Sequence, residues 1–206
     1  MQAVVRALTL TILTTMLLPG LAHANSASPD QLVSETAGNI ISRIDNNYDT
    51  YTAEPALLEQ VIRSDLIPLL DMNYTARLIL GRAGRQASDQ QIAAFTEAMS
   101  NLLIERYSSG LMNFRSRDQL EVMPLRGELN ERATRVRTRV GLNDGGFAPV
   151  DYVFRKTPEG WKAFDVIIEG ISYVSTYRNQ IAPQIEADGL DSVIGRLNSG
   201  ELQLKD

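Results

Sequence analysis

The chain predicts an α+β domain: a helical N-terminal half packed on a four-stranded antiparallel twisted sheet, with C-terminal helices closing over an apolar interior. Three observations carry this. Between about residues 30 and 114, apolar residues recur at three- and four-residue spacing. From Leu120 to Ile168 they alternate instead, with turn signals at Asn143-Asp144-Gly145-Gly146 and Thr157-Pro158-Glu159-Gly160. After Gly170 the helical spacing returns.

Asp30 can cap a first helix running to about Tyr51, with Val33, Ala37, Ile40, Ile41, Ile44, Tyr48 and Tyr51 on one stripe. Pro55 suits the first turn of a second helix, which turns Leu57, Leu58, Val61, Ile62 and Leu66 inward. Pro68 ends or bends it. Asp71 to Leu80 reads as a third helix, stopped by Gly81 and Gly84. Ser88-Asp89-Gln90-Gln91 is a capping box. It opens a strongly amphipathic helix with Ile92, Phe95, Met99, Leu102, Leu103 and Tyr107 on one side, which Gly110 ends or bends.

The four strands are short alternating runs at Leu120–Val122, Thr134–Val140, Val150–Arg155 and Trp161–Ile168. On the second, Arg135, Arg137 and Arg139 face away from Val136 and Val140, so one side of the sheet is wet. On the fourth, Phe164, Val166 and Ile168 share one face, and Trp161, Ala163, Asp165 and Ile167 share the other. Gly170 lets the chain turn sharply into a helix carrying Tyr173, Val174, Tyr177, Ile181 and Ile185. Asp191, Val193, Ile194 and Leu197 make a last amphipathic piece.

The first 24 residues read as a cleaved signal peptide. Arg6 supplies the positive start, Ala7 to Leu18 is an uncharged apolar run, and Ala22-His23-Ala24 is an A-x-A cleavage site. The run is too short to span a bilayer as a helix. Residues 25–206 then form one exported, soluble domain, large enough for a sizeable core. The one histidine, His23, leaves with the signal, and there is no cysteine. The mature chain therefore has no imidazole or thiolate for a metal, no Ser-His-Asp triad and no cysteine nucleophile. Without Arg6, 19 of the 20 Lys and Arg stand against 25 Asp and Glu, a balance of −6. That charge speaks against nucleic acid as a partner.

Few groups could carry chemistry. The arginines of the second strand read as an anion or docking site, or as a solvated face. Asp165 and Glu169 share strand parity, but a structural Asp165 paired with Arg178 fits an apolar strand better than an acid/base pair. Glu169-Gly170-Ile171-Ser172 is not a nucleophile elbow, and Gly81-Arg82-Ala83-Gly84 lacks the lysine and hydroxyl of a phosphate loop. No enzymatic activity is expected. What remains is the apolar inventory, which reads either as a ligand pocket or as a filled core.

The block Trp161 to Gln180 resembles the strand-to-helix block of the MlaC family, the toluene-tolerance family of periplasmic phospholipid-binding proteins. Trp161, Asp165, Glu169, Gly170, Ser172 and Arg178 carry the resemblance. Gly189, Asp191 and Leu197 fit that family's terminal helix, and Ala76 to Gly81 and Ser88 to Tyr107 fit its helical half. The resemblance implies a non-enzymatic carrier with phospholipid as cargo and no cofactor. It implies a periplasmic monomer that passes lipid between an outer-membrane lipoprotein-porin complex and an inner-membrane ABC transporter with an MCE-domain protein, maintaining outer-membrane lipid asymmetry. The acyl chains would enter a cavity between sheet and helices. On that reading Phe95, Met99, Leu103, Tyr107, Tyr152, Phe154, Phe164, Val166 and Tyr173 line it. The alternative is an exported interaction module with a solid core, using the arginine-bearing face of the sheet.

Overall fold

Among the described residues, five strands form one antiparallel meander in the order β1-β2-β3-β4-β5, and the helices lie against one of its faces. The computed structural model describes residues 27–142 and 145–205. The expected signal peptide and the turn residues Asn143 and Asp144 lie outside the described residues. The strands are β1 (Leu120–Val122), β2 (Thr134–Gly141), β3 (Phe147–Thr157), β4 (Gly160–Ile168) and β5 (Ile171–Ser172). The α+β class stands, with one strand more than the four expected. The fifth arises because Glu169-Gly170 is a two-residue turn, not a simple break. Both residues have positive φ, 51° and 85°, as a tight hairpin requires, and Ile171 pairs back with Ile168.

The first helix, α1 (Pro29–Asn46), stops short of Tyr51. Ser28-Pro29-Asp30-Gln31 is a second capping box: the Ser28 N–H donates to Gln31 Oε1 at 3.0 Å, so Ser28, not Asp30, opens the helix. Asn47 closes it. Its side chain donates to the Arg43 carbonyl at 2.9 Å and its φ is −129°, outside the helical range. A short α2 (Tyr48–Ala53) then leaves at a new angle with Tyr51 buried. The next helix, α3 (Pro55–Val61), widens into a π-helical turn at Ile62–Leu66 before Pro68 stops it.

Asp71 caps α4 (Met72–Leu80) through the Tyr74 N–H at 3.0 Å, and Gly81 ends it at φ 54°. The long helix α5 (Asp89–Leu111) begins at the capping box read from Ser88. After β5 come α6 (Tyr173–Asp188) and α7 (Leu190–Asn198). Arg178 on α6 donates to the Leu78 carbonyl at 2.6 Å, placing a positive charge at the C-terminal end of α4.

The alternation expected along β4 is interrupted. Val153 pairs with Asp165 but Phe154 pairs with Ala163, so Phe164 is an extra residue in a bulge. The bulge reverses parity: Trp161 and Ala163 join Val166 on the covered side of the sheet, together with Val136 and Phe154. The carbonyls near the kink are taken up by the cap and first turn of α4. Asp71 N–H donates to Ala163 O at 2.7 Å and Thr75 Oγ1 donates to Phe164 O at 2.8 Å. Arg135, Arg137 and Arg139 are exposed, as expected; Arg135 pairs with Asp151 and Arg139 with Glu121, both at 3.4 Å.

Candidate functional site

The apolar residues do not make one continuous core. Among the described residues they pack as three clusters. One lies among α4, α5, α6 and α7 around Phe95, Met99, Tyr177 and Ile181. A second lies among α1, α2, α3 and α5 around Ile44, Leu58 and Ile104. The third joins Val33 of α1 to Val136, Phe154, Trp161 and Ala163 of the sheet. Between the three is a cavity of about 400 Å³, bordered by members of each. The interior is therefore not filled, and its size lies within the roughly 300–1,000 Å³ of small-molecule pockets.

The wall is almost wholly apolar. Helix α1 contributes Val33, Ile40, Ile41 and Ile44, and the widened turn contributes Ile62 and Leu66. A π-helical turn pushes its side chains out of the ordinary helical register, which suits a wall that must diverge from its neighbour. Helix α5 adds Leu103, Ile104 and Tyr107, and the sheet adds Val140, Val150, Tyr152, Phe164, Val166 and Ile168.

Six of the nine residues assigned to the wall from sequence border the cavity: Leu103, Tyr107, Tyr152, Phe164, Val166 and Tyr173. Phe95, Met99 and Phe154 do not. Phe95 and Met99 sit one to two turns before Leu103 on α5, where that helix packs against α4, α6 and α7, and both are fully buried. Phe154 lies just beyond the bulge and is packed solidly with Trp161 and Ala163. The α1 and π-turn residues were missed as wall residues. Their apolar stripe was visible in the sequence, but a stripe does not tell which of its members meet a void.

Several polar groups of the wall already have partners within the protein. The Tyr107 and Tyr177 hydroxyls lie 3.0 Å apart in a hydrogen bond, and the Tyr173 ring stands edge-on to both rings. Asp165 is not paired with Arg178 as expected. Its Oδ2 accepts from Ser172 Oγ at 2.6 Å and its Oδ1 from the Val174 N–H at 3.1 Å, so it caps α6 from the neighbouring strand. Glu169 is exposed at the hairpin tip, so the two carboxylates do not converge. Burial raises the Tyr152 phenol above its ordinary range, so it stays neutral.

Residues 34–199 match the family described as MlaC protein. The chain is 26% identical over 199 residues to the intermembrane phospholipid transport system binding protein MlaC of Haemophilus influenzae, covering 93% of this chain and 90% of that one. It is 24% identical over 165 residues to the toluene tolerance protein ttg2D of Pseudomonas putida, covering 80% and 76%. A phospholipid-binding protein of Ralstonia solanacearum, solved in complex with a phospholipid, superposes with a TM-score of 0.72 at 26% identity, covering 83% of this chain and 99% of that one. Fold and sequence agree: the chain belongs to the MlaC family.

Proposed function

We propose that this protein is a non-enzymatic phospholipid carrier. The observation that supports it best is the apolar cavity of about 400 Å³ between sheet and helices, in a fold shared with a relative solved with phospholipid bound. Each methylene taken from water into such a wall contributes about 0.8 kcal/mol, so acyl chains supply ample driving force. A charged headgroup would lose its hydration in that wall and is left at the solvent side. The lipid is moved unchanged, which asks nothing of the chain beyond binding and release.

On this reading the sequence before Asn25 directs export, and residues 25–206 act in the periplasm as a single lipid-binding domain and as a monomer. The carrier passes phospholipid between an outer-membrane lipoprotein-porin complex and an inner-membrane ABC transporter bearing an MCE-domain protein, and so maintains outer-membrane lipid asymmetry. Leu103, Tyr107, Tyr152, Phe164, Val166 and Tyr173 are the binding residues retained from the sequence reading.

The test is purification from the periplasm without detergent, then denaturing extraction and lipid mass spectrometry. Stoichiometric phospholipid is expected. A folded protein that native mass spectrometry finds empty overturns the carrier reading.

A further inference from the structure

Tyr152 is at the centre of the sheet, with Val136 of β2 and Val166 of β4 as its cross-strand partners. It borders the cavity, and its hydroxyl makes no hydrogen bond with any described residue. The other hydroxyls of the wall stand differently. Tyr107 and Tyr177 bond to each other, and Thr75 donates to the Phe164 carbonyl. Thr36 and Ser108 are on helices, where a hydroxyl can turn back to the carbonyl four residues earlier, as those of Ser42, Thr96 and Ser100 do. Tyr173 is half-buried like Tyr152, but it is on the first turn of α6 with its ring edge-on to those of Tyr107 and Tyr177. A tyrosine in mid-strand has no backbone carbonyl of its own within reach of its hydroxyl.

Lipid filling this cavity would take the hydroxyl out of water, where a donor without an acceptor is costly and phenylalanine would carry no such cost. Burial keeps the phenol protonated, so it remains a donor. In a phospholipid the oxygens nearest the apolar chains are those of the acyl esters. The phosphate is charged, and a wall this apolar offers it no counter-charge.

We propose that the Tyr152 hydroxyl donates a hydrogen bond to an acyl-ester carbonyl of the bound lipid, so that the site prefers ester-linked diacyl lipids to ether-linked ones. This rests on the phospholipid-carrier reading. An ether oxygen is a weaker and less accessible acceptor than an ester carbonyl, so linkage chemistry is read even when chains and headgroup are identical.

The experiment uses delipidated full-length mature protein and two probes, a diester phosphatidylethanolamine and its diether counterpart with the same chains. Their affinities are measured for the native protein and for Tyr152→Phe. The native protein is expected to bind the diester about tenfold more tightly, one hydrogen bond's worth. Tyr152→Phe is expected to abolish this tenfold difference, weakening the diester without weakening the diether. Equal affinities in the native protein overturn the proposal, and that comparison needs no variant to fold. Equal weakening of both lipids by Tyr152→Phe also overturns it, by assigning the residue to packing. If the native protein binds neither lipid, the carrier reading fails with it.

Discussion

The Asp165 carboxylate accepts a hydrogen bond of 2.6 Å from Ser172 Oγ, closing β4 onto the first turn of α6. The same carboxylate takes the Val174 N–H, so one side chain joins the bulged strand, the hairpin and the helix that walls the cavity. Asp165→Ala is expected to destabilise the fold by roughly 1 to 2 kcal/mol, since it leaves the Val174 N–H unpaired, whereas the Ser172 hydroxyl can still turn to Ser175 Oγ at 3.2 Å. Asp165→Asn, which keeps an acceptor, should retain most of that. Urea midpoints of the three proteins check both statements.

Glu169 holds a φ of 51° at the first position of its turn, where Asn and Gly are favoured and a long side chain is strained. It is exposed. Glu169→Asn creates the Asn-Gly pair suited to this turn and should raise stability by roughly 0.5 to 1 kcal/mol. A lower melting temperature for Glu169→Asn would show that the glutamate side chain has a stabilising role of its own.

Val166 faces the void, so a larger residue there enters empty space instead of a packed core. Val166→Trp should strip most of the co-purifying lipid and change stability by less than about 1.5 kcal/mol. Phe164→Asp puts a charge into the same wall and should abolish lipid retention. A folded Phe164→Asp protein that still carries lipid would mean that the cargo sits elsewhere.

Tyr152 also predicts a pH dependence. Burial raises its folded pKa above that of the unfolded chain, near 10.0. The folded state then holds a proton that the unfolded state gives up, so this contribution is complete below about pH 10 and is lost as pH rises further. Tyr152→Phe should flatten the alkaline limb of the stability curve relative to the native protein. Parallel urea titrations between neutral pH and about pH 11 read the difference directly.

Much of this architecture is legible in the residues. The capping box at Ser88, the Asp71 start and Gly81 stop of α4, and the outward arginines of β2 are local signals, and each is found where it was read. What escaped depends on more than local pattern. The hydrogen bond from Asn47 back to Arg43 broke a helix that its apolar stripe would have continued. The bulge at Phe164 turned Trp161 and Ala163 to the side that alternation denied them.

The sequence by itself determined most of the elements, their order, the α+β class and the absence of any thiol chemistry, because these follow from short-range periodicity and composition. Only the tertiary structure decided that the apolar side chains form three clusters with a cavity between them. A void is a property of how elements fail to meet, and Phe95 and Leu103, eight residues apart on one stripe of α5, carry the same pattern while one is packed solid and the other faces the cavity.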